Sequence, residues 1–224
     1  MFLDPIYFLF AAPGLLLAFW ASMKTKSTFR KYAKVAARSG LTGAEAAQQM
    51  LRYAGVNDVR IEPVQGFLSD HYDPRANVLR LSPEVYQSSS LSAIGVACHE
   101  AGHALQKAHQ YGPLALRSML VPVTSFGSSL AMPVFFIGML VQVPFLVQIG
   151  IWMFVAVVAF SIVTLPVEWD ASARAKQYMV RAGIVTDAEQ VHAGRVLNAA
   201  FLTYVAAAVQ AILTLMYLML RARD

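Results

Sequence analysis

His99-Glu100-Ala101-Gly102-His103 places two imidazoles four residues apart, with a carboxylate beside the first. On an α-helix, positions i and i+4 lie on one face, so both rings can reach a single ion. Neutral imidazoles suit zinc, and a neighbouring carboxylate can accept a proton from water that the ion has made acidic. The pattern therefore predicts one Zn2+ per chain bound by His99 and His103, with Glu100 as the general base of a hydrolysis. Cys98, the single cysteine, lies about 100° round the same helix from His99 and reads as a small buried residue, not a ligand. One cysteine also excludes an intramolecular disulfide framework.

A zinc that keeps one position open for water takes three protein ligands, and two residues compete for the third place. His109 follows His103 by six residues, the spacing of the metzincin pattern HExxHxxGxxH. That pattern needs a glycine to break the helix and swing the last histidine round. Here the position is Gln106, a good helix former, and on a continuing helix His109 sits about 240° round from His103. Glu168 is the better choice. It is the first charge after 50 uncharged residues, and an acid at such a boundary is a functional-site candidate. Asp170, two residues on, points the opposite way on a helix and cannot share the role.

Those uncharged residues decide what holds the site. The chain has 224 residues, of which 57% are hydrophobic and 14% charged, against about 25% charged in soluble domains. Residues 118–167 and 196–220 carry no charge, and 1–23 hold only Asp4. A membrane-crossing helix needs about 20 apolar residues. Residues 118–167 thus contain two spans, near 119–141 and 145–165, turned at Gln142-Val143-Pro144. The expected plan is a mainly α integral membrane protein. Transmembrane helix 1 lies in 1–23, a catalytic part with a small β-hairpin or sheet in 24–117, helices 2 and 3 in 118–167, a helical part with the third ligand in 168–199, and helix 4 in 200–220.

Of the 18 Lys and Arg, 12 fall in 24–117, 4 in 166–199 and 2 after 220. The positive-inside rule then makes both polar segments cytoplasmic and puts both termini outside. The first span has no basic residue before it but Lys24, Lys26, Arg30, Lys31 and Lys34 after it, the reverse of a secretory signal, so an uncleaved anchor is expected. The net charge of +5 is a membrane-proximal basic face that attracts anionic lipid and calls for no nucleic acid.

Local signals place the motif. Residues 24–38 alternate basic and apolar positions at helical spacing, with Gly40 as a stop. Thr42 and Glu45 form a capping box for a helix to about Tyr53, closed by Gly55. Val59-Arg60-Ile61 and Val78-Leu79-Arg80-Leu81 read as strands flanking a turn-rich Ser69–Pro74, and the second could bind an extended substrate by strand addition. Ser82-Pro83-Glu84 starts a short helix. Serines 88–90 cap the motif helix, about 91–108, whose buried stripe is Ile94, Ala97, Ala101, Ala104, Leu105 and Ala108. Thr186 and Glu189 form a second capping box.

The motif on a cytoplasmic helix, then two spans and a glutamate opening a helix with small residues, resembles the HtpX and CAAX prenyl protease group of membrane gluzincins. The closer similarity is to the YugP-type neutral zinc metallopeptidases. It is carried by Asp4-Pro5, Asp70-His71-Tyr72-Asp73-Pro74, Leu79-Arg80-Leu81-Ser82, His99–His103, Pro166-Val167-Glu168-Trp169-Asp170-Ala171-Ser172 and Leu197-Asn198-Ala199-Ala200. The resemblance implies a multi-pass peptidase of the bacterial inner membrane, its active site facing the cytoplasm, with His99, His103 and Glu168 as ligands and Glu100 as base. The HtpX group has an aspartate four residues after its ligand glutamate; Ser172 stands there in this chain. Candidates for an oxyanion donor or a supporting contact are His71, Tyr86, Asp170, Ser172, His192 and Arg195. The expected substrate is a peptide or a membrane-protein segment at the bilayer surface. The competing reading is a zinc-stabilised scaffold that binds partners without catalysis. A transporter would want ionisable residues inside its spans, and these spans have none.

Overall fold

The computed structural model describes residues 5–223, so Asp4 lies outside them. The order of elements is α1 (Pro5–Tyr32), α2 (Gly43–Tyr53), β1 (Arg60–Pro63), β2 (His71–Asp73), β3 (Val78–Leu81), α3 (Pro83–Tyr86), α4 (Leu91–Ala108), α5 (Gly112–Leu140), α6 (Pro144–Arg181) and α7 (Asp187–Arg221). The chain divides into two compact units. One is the apolar unit of residues 1–22, 112–167 and 202–224; the other comprises 23–111 and 168–201.

Helices α1, α5, α6 and α7 are each long and apolar enough to cross a membrane. Within the apolar unit they approach one another at glycines. A Cβ on Gly14 would run into the Gln210 side chain, and one on Gly150 would lie 2.7 Å from the Phe135 backbone nitrogen. Such small residues let helix backbones meet where no water drives association. Ala131, Phe135, Val147, Ile151 and Val158 fill the interior of this unit, and Tyr7 meets Tyr217 edge-on at 5.3 Å. Phe8, Leu16, Phe126 and Trp152 remain exposed, an apolar exterior suited to lipid. Gln142 turns the chain with φ 56°, and Pro144 opens α6 at a position where a missing N–H costs nothing.

The other unit is built round α4. Ser90 Oγ accepts the Ala93 N–H at 3.2 Å and starts the helix where the serines predicted. Thirteen of its 18 residues are buried, so α4 is a core helix and not an amphipathic one; Ala108, assigned to the buried stripe, is exposed. Helix α2 opens with the capping box: Thr42 N–H donates to Glu45 Oε2 at 2.8 Å and Glu45 N–H to Thr42 Oγ1 at 3.3 Å. Gly55, with φ 76°, follows its end. Thr186 and Glu189 pair in the same way ahead of α7.

Four expectations are corrected. Helix α1 stops at Tyr32, short of Gly40, because the next backbone groups bond to the strand-like entry of α4: Ala37 N–H donates to Ser89 O and Leu91 N–H to Val35 O, both at 2.9 Å. The turn-rich Ser69–Pro74 contains β2, too short at three residues to show a period in the sequence. The sheet order is β1-β3-β2, with β1 parallel and β2 antiparallel to β3. Strand β3 is therefore central, both of its edges are taken, and it cannot accept a substrate strand. Finally, Glu168 does not open a helix but lies inside α6, beyond its internal Pro166.

The contact of α4 with α6 in this unit depends on Gly102. A Cβ there would lie 2.5 Å from Ala171 O, a backbone atom that cannot swing aside. Gly102→Ala is expected to cost about 1–3 kcal/mol through overpacking and to push Glu168 away from the histidines. Thermal unfolding together with bound zinc per chain measures both effects.

Candidate metal centre

Helix α4 supplies the two histidines on one face, their ring centroids 4.8 Å apart and their planes at 81°. Helix α6 supplies Glu168, which is 1% exposed. Its Oε2 lies 3.2 Å from His99 Nε2 and 3.5 Å from His103 Nε2. One ligand atom from each residue falls within 4.8 Å of the other two, which suits a small cation among three donors.

The far side of each ring is held. His99 Nδ1 is 3.1 Å from Ser172 Oγ, and His103 Nδ1 is 2.9 Å from Gln106 Oε1. Gln106 Nε2 donates to Asp170 Oδ2 at 2.9 Å, and Asp170 Oδ2 also accepts from Arg174 Nε at 2.6 Å. Bonds on Nδ1 leave Nε2 for a metal, the outer support that metal-binding histidines generally have. Burial opposes a charge on His103, yet the Glu168 hydrogen bond and the charges of Glu100 and Glu168 hold its pKa above the ordinary value. A site whose field favours a proton favours a metal cation for the same reason. Cys98 contributes nothing: burial pushes its thiol up to about 12, so no thiolate forms at neutral pH.

Glu100, beside the pair, is anchored separately. Its Oε2 accepts the Tyr72 N–H of β2 at 3.0 Å. The Tyr72 phenol, pushed up to about 12 by burial, stays protonated and donates to Asn77 Oδ1. Lys107 Nζ, near the end of α4, donates to Pro74 O at 2.6 Å and to Asn77 Oδ1 at 3.2 Å. Asp70 accepts the Ser82 N–H at 2.8 Å and the Ser82 hydroxyl at 3.0 Å, tying the segment before β2 to the start of α3. Burial and the nearby Glu100 charge raise the Asp70 pKa against those bonds.

The six residues considered for an oxyanion donor or a supporting contact fall in different places. Ser172 touches His99, and Asp170 reaches His103 only through Gln106. His71 is exposed on β2 with Nδ1 2.8 Å from Ser69 O. Tyr86 lines a groove with Leu41, Gln49, Arg52 and Ile61. His192 stacks on Tyr32 at 5.2 Å, and Arg195 donates to the Tyr32 hydroxyl at 3.0 Å. His109, the competing third ligand, caps α4 and lies 2.7 Å from Arg174 Nη1, apart from the trio. Sequence reasoning missed Gln106 and the Tyr72 amide. The first carried a signal, a polar residue three positions after His103; a backbone donor carries none.

The donor set fits zinc: two imidazole nitrogens and one carboxylate, with both rings supported from behind. A family model described as "putative neutral zinc metallopeptidase" matches residues 7–223. The chain is 49% identical over 211 residues to the "Putative membrane protease YugP" of Bacillus subtilis (strain 168), covering 94% of this chain and 93% of that protein. No solved structure matches. Metal analysis of purified protein should find Glu168→Ala depleted of zinc and His109→Ala fully loaded. The reverse pattern would exchange the third ligand.

Proposed function

Because the chain belongs to the neutral zinc metallopeptidase family, we propose that this multi-pass membrane protein is an endopeptidase in which His99, His103 and Glu168 hold one zinc and Glu100 is the general base. The observation that carries this reading is Glu168 Oε2 at 3.2 and 3.5 Å from the two Nε2 atoms. Zinc held there supplies Lewis acidity, which lets water lose a proton near neutral pH and polarises a peptide carbonyl.

The residues of the chain do the rest. Glu100 accepts the proton of the attacking water on its carboxylate and returns it to the departing amine nitrogen. The Tyr72 N–H fixes one carboxylate oxygen, so the other is left for that exchange. Ser172 and Gln106 keep the rings turned with Nε2 towards Glu168. Strand β3, paired on both edges, does not take an extended substrate. A base held in place beside the ligand pair favours catalysis over a zinc-stabilised scaffold.

The distribution of Lys and Arg supports a catalytic unit on the cytoplasmic side of a bacterial inner membrane, with both termini outside. Glu168 directly follows the uncharged run that ends at Val167, and this supports substrates presented at the bilayer surface: loosened membrane-protein segments. Two measurements test the proposal. Glu100→Gln should keep its zinc and lose about 10²–10⁴-fold in peptide hydrolysis; hydrolysis at the unaltered rate would refute the base. In a Cys98→Ser background, a cysteine replacing Gln142 should react with an impermeant maleimide on intact cells, while one replacing Ser69 should react only after lysis.

A further inference from the structure

Asp170 touches no metal ligand, yet its carboxylate determines how one of them is presented. A carboxylate only accepts, so the atom of Gln106 that faces Asp170 Oδ2 at 2.9 Å must be the amide nitrogen. Arg174 Nε donates to the same oxygen at 2.6 Å, so that oxygen accepts from two donors. The amide oxygen of Gln106 is then turned to His103 Nδ1 at 2.9 Å. An oxygen that only accepts requires the proton on Nδ1, so the neutral ring of His103, the form that binds a metal, has its lone pair on Nε2.

Gln106 is fully buried, so its amide has no solvent to compensate a reversed orientation. We propose that Gln106 is a positioning residue which passes the polarity of Asp170 to His103, so that the chain Asp170–Gln106–His103 sets the affinity of the site for zinc. His99 has no such chain. Ser172 Oγ, 3.1 Å from its Nδ1, is a hydroxyl able to donate or accept. The proposal rests on the reading of His99, His103 and Glu168 as zinc ligands.

The test is zinc affinity of the full-length protein in detergent, by competition with a chromogenic chelator, with the melting temperature of each metal-free variant as a check on folding. Gln106→Met and Asp170→Leu, each of which removes its polar atoms from the chain, should each weaken zinc binding about 10–100-fold. Arg174→Gln, which removes the partly exposed ion pair and spares the chain, should stay within about threefold of the unaltered protein. The decisive variant is the double substitution Q106E/D170N. It moves the carboxylate next to His103 and puts a donor behind it, and should bring affinity back to within about threefold of the unaltered protein. A purely packing role for Gln106 predicts no such recovery.

Unchanged affinity in Asp170→Leu overturns the proposal while leaving the ligand assignment standing. So does a double variant that binds no better than Asp170→Leu at matching melting temperature. Absence of zinc binding by the unaltered protein overturns the ligand assignment and this inference together. Should Gln106→Met fail to fold, Asp170→Leu and the double variant still decide.

Discussion

A carboxylate that is almost wholly buried between two imidazoles is the constraint on which the polar unit turns. Burying a charge without a partner costs far more than any single contact returns. Glu168 is 1% exposed and is compensated by His99 and His103. Breaking such a pair on one side costs about 3–5 kcal/mol, and the helices must therefore meet closely. Gly102, between the two histidines, allows it by letting Ala171 O lie where a Cβ would stand. The same residues that hold the histidines on one face also hold the second helix against them.

Around that contact each functional group has its own support. Glu100, beside the pair on α4, is bound by the backbone of the outer strand. That strand is fixed to β3, and its turn is fixed to α4 through Lys107 and Asn77. Glu100 is thereby tied to the sheet, while the His99–His103–Glu168 trio is tied to α6. A substitution in the sheet can displace Glu100 without disturbing the trio, and one in α6 can do the opposite.

Much of this was legible in the chain because it rests on local spacing. The i, i+4 histidines, the two capping boxes, the serine at the start of α4 and the four apolar runs each lie within a few residues or one continuous stretch. Glu168 was legible as the first charge after a long uncharged run, although its place inside α6 was not, since Pro166 reads as a boundary and α6 continues through it. What stayed hidden depends on partners distant in sequence. The end of α1 is decided by hydrogen bonds to the entry of α4, and β2 is decided by pairing with β3. Gln106 looked like an ordinary helix former, and only Asp170, 64 residues away, reveals its use.

The two imidazoles are backed by unlike groups, an amide oxygen behind one and a hydroxyl behind the other. One ring is committed to a single proton arrangement before any ion arrives, whereas the other can rearrange at little cost.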